Sequence, residues 1–63
     1  MTTLTDIEAE FRMDRPRAIA VWAGKEDEDG KEVWAWLPKN LVEDNGDGTY
    51  TMPEWLAHEK GLI

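Results

Sequence analysis

The sequence contains no cysteine and no serine. Without cysteine there is neither a disulfide staple nor a thiolate metal site. Without either residue the commonest nucleophiles of covalent catalysis are missing. Histidine is almost missing too. His58 is the single one and sits among polar neighbours, so no histidine cluster can hold zinc. No glycine-rich phosphate loop is present. Carboxylates number 14, but no spacing selects one pair of them for acid–base work. These absences point to a protein that is not an enzyme and carries no cofactor. No apolar run approaches the roughly 20 residues needed to cross a bilayer. Met1 is not followed by the basic and then apolar stretch of a secretory signal, so a cytoplasmic protein is expected. Basic charge is scarce as well: 7 Lys and Arg face 14 Asp and Glu, for a net charge of −7. That balance disfavours direct nucleic-acid binding, whose affinity rests on neutralising phosphates. It favours attraction to basic protein surfaces.

What is present must build one domain across residues 1–63. A chain of this size buries only about 60% of its unfolded surface. Four tryptophans help, because each ring buries roughly 150–250 Å². Residues 1–5 are expected to be a loose end. From Ile7 to Met13 apolar and charged residues alternate, with Ile7, Ala9, Phe11 and Met13 on one face. That period of two predicts a strand, with a helix starting at Asp6 as the rival. Pro16 breaks the run. Residues 17–23 predict a second strand, Ile19 and Val21 on one face and Ala18, Ala20 and Trp22 on the other. Gly24 to Gly30 reads as a polar hairpin loop. Residues 31–37 predict the returning strand, with Val33, Ala35 and Leu37 against Glu32, Trp34 and Trp36. Pro38 ends it or marks an edge.

The Asn-Gly and Asp-Gly pairs of residues 45–48 are the strongest turn signal in the chain. Residues 49–52 resume a strand. Pro53 and Glu54 then suit the start of a helix, and Gly61 suits its C-terminal cap. Leu62 and Ile63 are placed to fold back onto it. The expected fold is α+β and mainly β: an antiparallel meander or open barrel of four to five strands with a short C-terminal helix. Its expected core is Ile7, Phe11, Ile19, Val21, Val33 and Leu37.

Three stretches invite a functional reading, each beside a structural one. Residues 43–54 match the spacing of an EF-hand calcium loop, with Glu43, Asn45, Asp47, Thr49, Thr51 and Glu54 as ligands and Gly48 in the glycine place. The first ligand position normally holds aspartate, however, and Glu43 follows Pro38 too closely for an entering helix. The same residues equally make a hairpin turn. Trp22, Trp34 and Trp36 share a strand face that either meets a partner or lies under the C-terminal helix with Trp55, Leu56 and Leu62. Glu26, Asp27, Glu28 and Asp29 either imitate a phosphate backbone or form a solvated tip that discourages aggregation. Arg12, Arg15 and Arg17 form a small basic spot that suits balancing carboxylates more than gripping a phosphate.

The segments "VWAWLPKNLVE" and "TYTMPEWLAHEKGLI" resemble a group of small bacteriophage and prophage proteins. In that group a tryptophan-rich strand ends in a Leu-Pro-Lys turn, and a Pro-Glu-Trp-Leu helix precedes a Lys-Gly-Leu end. The resemblance covers roughly residues 31–63. It carries no activity or active site, and implies a mobile-element origin and a small accessory role. Together with the charge, the expectation is an acidic protein-interaction module. Trp22, Trp34, Trp36 and Glu26–Asp29 would be its contact surface, and a basic nucleic-acid-handling host enzyme a fitting target. A calcium-binding module and a structural part of a larger assembly are the alternatives.

Overall fold

A computed structural model describes residues 2–63. It contains β1 (Leu4–Glu8), β2 (Glu10–Asp14), β3 (Ala18–Trp22), β4 (Ala35–Pro38), β5 (Glu43–Asp44), β6 (Thr49–Pro53) and α1 (Glu54–Glu59). The strands form two three-stranded antiparallel sheets, ordered β1-β6-β5 and β2-β3-β4. The protein is therefore a small, mainly β, α+β fold.

β1 and β2 are one extended run interrupted only at Ala9. There the chain leaves the first sheet and joins the second, and the Ala9 N–H donates to the Gly48 carbonyl at 3.1 Å. This transfer makes six strands out of the expected four to five. Of residues 1–5, expected as a loose end, Leu4 and Thr5 belong to the fold and pair with Pro53 and Met52. The Thr3 carbonyl accepts from the Glu54 N–H at 2.7 Å. Met1 lies outside the described residues.

The inner faces of the two sheets meet. Ile7, Tyr50 and Met52 come from the first sheet, and Ile19, Val21, Ala35 and Leu37 from the second. Leu37, Met52 and Val21 are the largest side chains fully withdrawn from water. α1 closes the core with Leu56 and Ala57, which face Ile7, Tyr50 and Met52 in the same cluster. No charged side chain is buried among the described residues.

Two expected core residues lie outside. Phe11 pairs with buried Val21 yet remains 52% exposed on the outer strand of its sheet, and the bulge between Phe11 and Met13 turns Met13 to the face of Ala20. Val33 is 43% exposed, because β4 begins only at Ala35 and Val33 still belongs to the loop. The helix ends as the sequence predicts. The Gly61 N–H donates to the His58 carbonyl (3.1 Å) and the Leu62 N–H to the Ala57 carbonyl (2.8 Å), with Gly61 at φ +71°. These two bonds define a Schellman cap. They fold Leu62 back against the core, while Ile63 stays exposed.

Candidate interaction face

Ile19 and Val21 face the core, so Ala18, Ala20 and Trp22 point to the other side of β3. On that outer face Ala20 lies between its cross-strand partners Met13 and Trp36. It is fully buried without belonging to the core, because larger neighbours close over it. Trp36 is 39% exposed, whereas Trp22 and Trp34 are half-buried. α1 packs against β1 and β6 alone among the strands, and Trp55 is 51% exposed. The helix thus leaves the tryptophan face uncovered.

A clamp joins this face to the hairpin spanning residues 23–34. The bulge in β2 presents Arg12 over the Trp22 ring, 5.0 Å from its centroid. Arg12 also grips Glu32 with both ends of its fork: Nε to Oε1 at 2.7 Å and Nη2 to Oε2 at 3.0 Å. Glu10 stands 3.8 Å from the same guanidinium. The Trp34 indole N–H donates to Glu32 Oε1 at 3.0 Å, and the Trp22 indole N–H to the Lys25 carbonyl at 2.8 Å. Hydrogen bonds from Arg12 and then Trp34 hold the Glu32 carboxyl below the usual carboxylate range. The hydrogen bond to Glu32 raises the Arg12 guanidinium in turn.

The hairpin tip is organised around Asp27. Its N–H donates to the Lys31 carbonyl at 2.8 Å, and its Oδ1 accepts the N–H groups of Asp29 and Lys31, both at 2.9 Å. Gly30, at φ +79°, makes the tight reversal available. Asp27 is therefore part of the turn. The Glu26, Glu28 and Asp29 side chains carry no ion pair or hydrogen bond among the described residues. The Glu26–Glu32 bridge holds the two arms together below the tip.

The calcium-spaced segment forms a hairpin turn. β5 precedes it and pairs with β6 through Glu43–Thr51 and Asp44–Tyr50, so no entering helix exists. Its oxygens are engaged locally. Asp47 Oδ1 accepts from the Thr49 N–H (3.0 Å) and hydroxyl (2.5 Å), which lowers the Asp47 carboxyl from its ordinary value, the hydroxyl bond being the larger cause. Asn45 Nδ2 donates to the hydroxyls of Thr49 (3.0 Å) and Thr51 (2.9 Å). The Thr51 hydroxyl donates to Asp6 on β1. Asp44, which the calcium spacing passes over, accepts the Gly46 N–H at 2.8 Å. Glu43 is exposed on β5 and Glu54 opens α1. Among the described residues no group of three or more His, Asp or Glu side chains has the arrangement of a metal site.

Of the three arginines read as a basic spot, Arg12 balances carboxylates, and Arg15 and Arg17 form no ion pair among the described residues. Lys39 pairs with Asp14 at 2.7 Å. Glu32 is the residue the sequence reading missed. Its one visible signal was its place on the tryptophan side of the returning segment. Among the described residues no helix is long and apolar enough to cross a membrane. Comparison with protein-family models, curated proteins and solved structures finds no match to this chain.

Proposed function

We propose that the protein is a non-enzymatic, acidic interaction module that docks on a basic protein surface. Trp22, Trp34 and Trp36 would supply the apolar contact, with Glu26, Glu28 and Asp29 supplying the charge. One observation carries this reading: the Arg12–Glu32 clamp ties the hairpin that bears three unpaired carboxylates to the sheet face that holds Trp22 and the partly exposed Trp36. A pre-ordered charged tip loses little freedom on binding, so more of its attraction is realised as affinity. Aromatic anchors ringed by charge suit fast, oriented association. A phage or prophage origin fits the resemblance of residues 31–63. An inhibitor of a nucleic-acid-handling host enzyme would use such a surface where the enzyme expects phosphates.

The test is capture from a bacterial lysate on the immobilised chain at about 0.05 M and 0.5 M salt, where the screening length falls severalfold. The wild type and a Glu26→Lys, Glu28→Lys, Asp29→Lys variant would be compared. The expected result is a discrete partner retained at low salt, weakened at high salt and lost with the variant. Capture indifferent to both salt and variant would exclude this mechanism.

A further inference from the structure

The sheet β2-β3-β4 has a second unpartnered feature, away from the acidic tip. β4 is the last strand of its sheet. The Lys39 N–H donates to the Arg17 carbonyl at 2.9 Å, and this sets the phase of the ladder. Ile19–Leu37 and Val21–Ala35 are in phase with that pair, so Ala35, Leu37 and Lys39 turn their backbone groups toward β3. The N–H and C=O of Trp36 consequently point off the sheet. Neither has a partner among the described residues. Pro38 blunts one end of this edge, but Ala35, Trp36 and Leu37 bring no charge to protect the rest.

A cleft of about 190 Å³ lies alongside the start of the same edge. Val33, Trp34 and Ala35 form one bank, and Lys60, Gly61 and Leu62 the other. Lys25 spans its end, with Nζ donating to the Gly61 carbonyl at 3.3 Å. Neither Lys25 nor Lys60 forms an ion pair among the described residues. In a molecule of net charge −7, this cleft thus brings together two ammonium groups that no carboxylate neutralises in an ion pair among the described residues.

We propose that the β4 edge and this cleft form a strand-addition site for an extended acidic segment of a partner protein. The segment would pair with the Trp36 N–H and C=O. Its carboxylates would meet Lys25 and Lys60, and its alternate apolar side chains would lie against Val33 and Leu62. The overall field of the molecule opposes such a segment at long range. Recognition therefore acts within the screening length, about 8 Å at physiological salt. The site shares Trp34 and Trp36 with the proposed contact face, using the Trp36 backbone rather than its ring, and uses none of the tip carboxylates.

The experiment is amide NMR titration of the full chain at about 0.15 M salt. Three probes serve: a capped hexapeptide of alternating valine and glutamate, its lysine counterpart, and the acidic peptide N-methylated at every residue. The acidic peptide should give saturable shifts at Lys25, Ala35, Trp36 and Lys60. The N-methylated peptide keeps the charges but lacks main-chain donors, and should bind at least about tenfold more weakly. The lysine peptide should shift residues 26–29 instead. Lys25→Glu with Lys60→Glu should abolish acidic-peptide binding, whereas Glu26→Lys, Glu28→Lys, Asp29→Lys should preserve it. The proposal is overturned if the acidic peptide fails to saturate by about 1 mM. It is also overturned if N-methylation leaves affinity unchanged. The N-methylated probe needs no altered protein, so misfolding of a variant cannot blur the outcome.

Discussion

Gly61 concentrates two constraints in one residue. Its φ of +71° is the left-handed region, and an added Cβ would collide with the Lys25 ammonium. Gly46 has a similar φ of +76° but open space around it. Gly46→Ala should therefore cost only the conformational penalty, about 1–2 kcal/mol. Gly61→Ala should lower the urea midpoint further, because Lys25 must also leave the Gly61 carbonyl. In a Lys25→Ala background that hydrogen bond is already absent, so Gly61→Ala should there cost no more than Gly46→Ala. Tyr50 makes a different prediction. Burial, and then the nearby Asp44 charge, raise its phenol above the ordinary value. A raised folded value means the fold favours the neutral phenol. The associated stability is complete below the unfolded value of about 10 and is lost as pH rises through the folded one. Thermal melts of Tyr50→Phe should match wild type within about 0.5 kcal/mol at neutral pH and fall less steeply above pH ~10. Residues of this kind divide in how well sequence reveals them. The glycine cap was legible, since little else tolerates that φ. The exposure of Phe11 was not, because which strand ends up outermost in its sheet is decided by long-range pairing.

At the scale of elements, the hairpin of residues 23–34 depends on a carboxylate from its own returning arm. Glu32 is depressed in the folded state, so its contribution exists above the unfolded carboxyl range and disappears as pH falls through the folded value. Urea unfolding of wild type between pH ~7 and ~3 should lose more stability than Glu32→Gln loses over the same span. At neutral pH, Arg12→Lys should red-shift tryptophan emission, because lysine keeps the charge but not the bidentate fork or the flat face over Trp22. The loop, the turn at residues 45–48 and the closing helix could all be read from glycine, proline and charge. The start of β4 could not. Val33 and Trp34 have ideal strand composition, yet the Val33 N–H is taken by the Lys25 carbonyl at 2.9 Å in the loop. Arg12 was legible as a partner of carboxylates, but Glu32 as the particular partner was not. The two residues are 20 positions apart and meet only once β2 and the hairpin are folded.

For the whole molecule, the margin is small. At 0.05–0.15 kcal/mol per residue, 63 residues give roughly 3–9 kcal/mol. Leu37 is fully buried at the meeting of both sheets. Leu37→Ala should remove about 2–5 kcal/mol, a large share of that margin, and lower the urea midpoint followed by circular dichroism, whereas Leu37→Met should cost less than about 1.5.

The register Leu4–Pro53 fastens the first strand to the last one. During synthesis the meander of β2, β3 and β4 can therefore zip up as it leaves the ribosome, while the leading strand waits, unpaired, for β6 to emerge. Closing that long loop is the pairing of greatest sequence separation in the fold, so its formation should set the pace of folding.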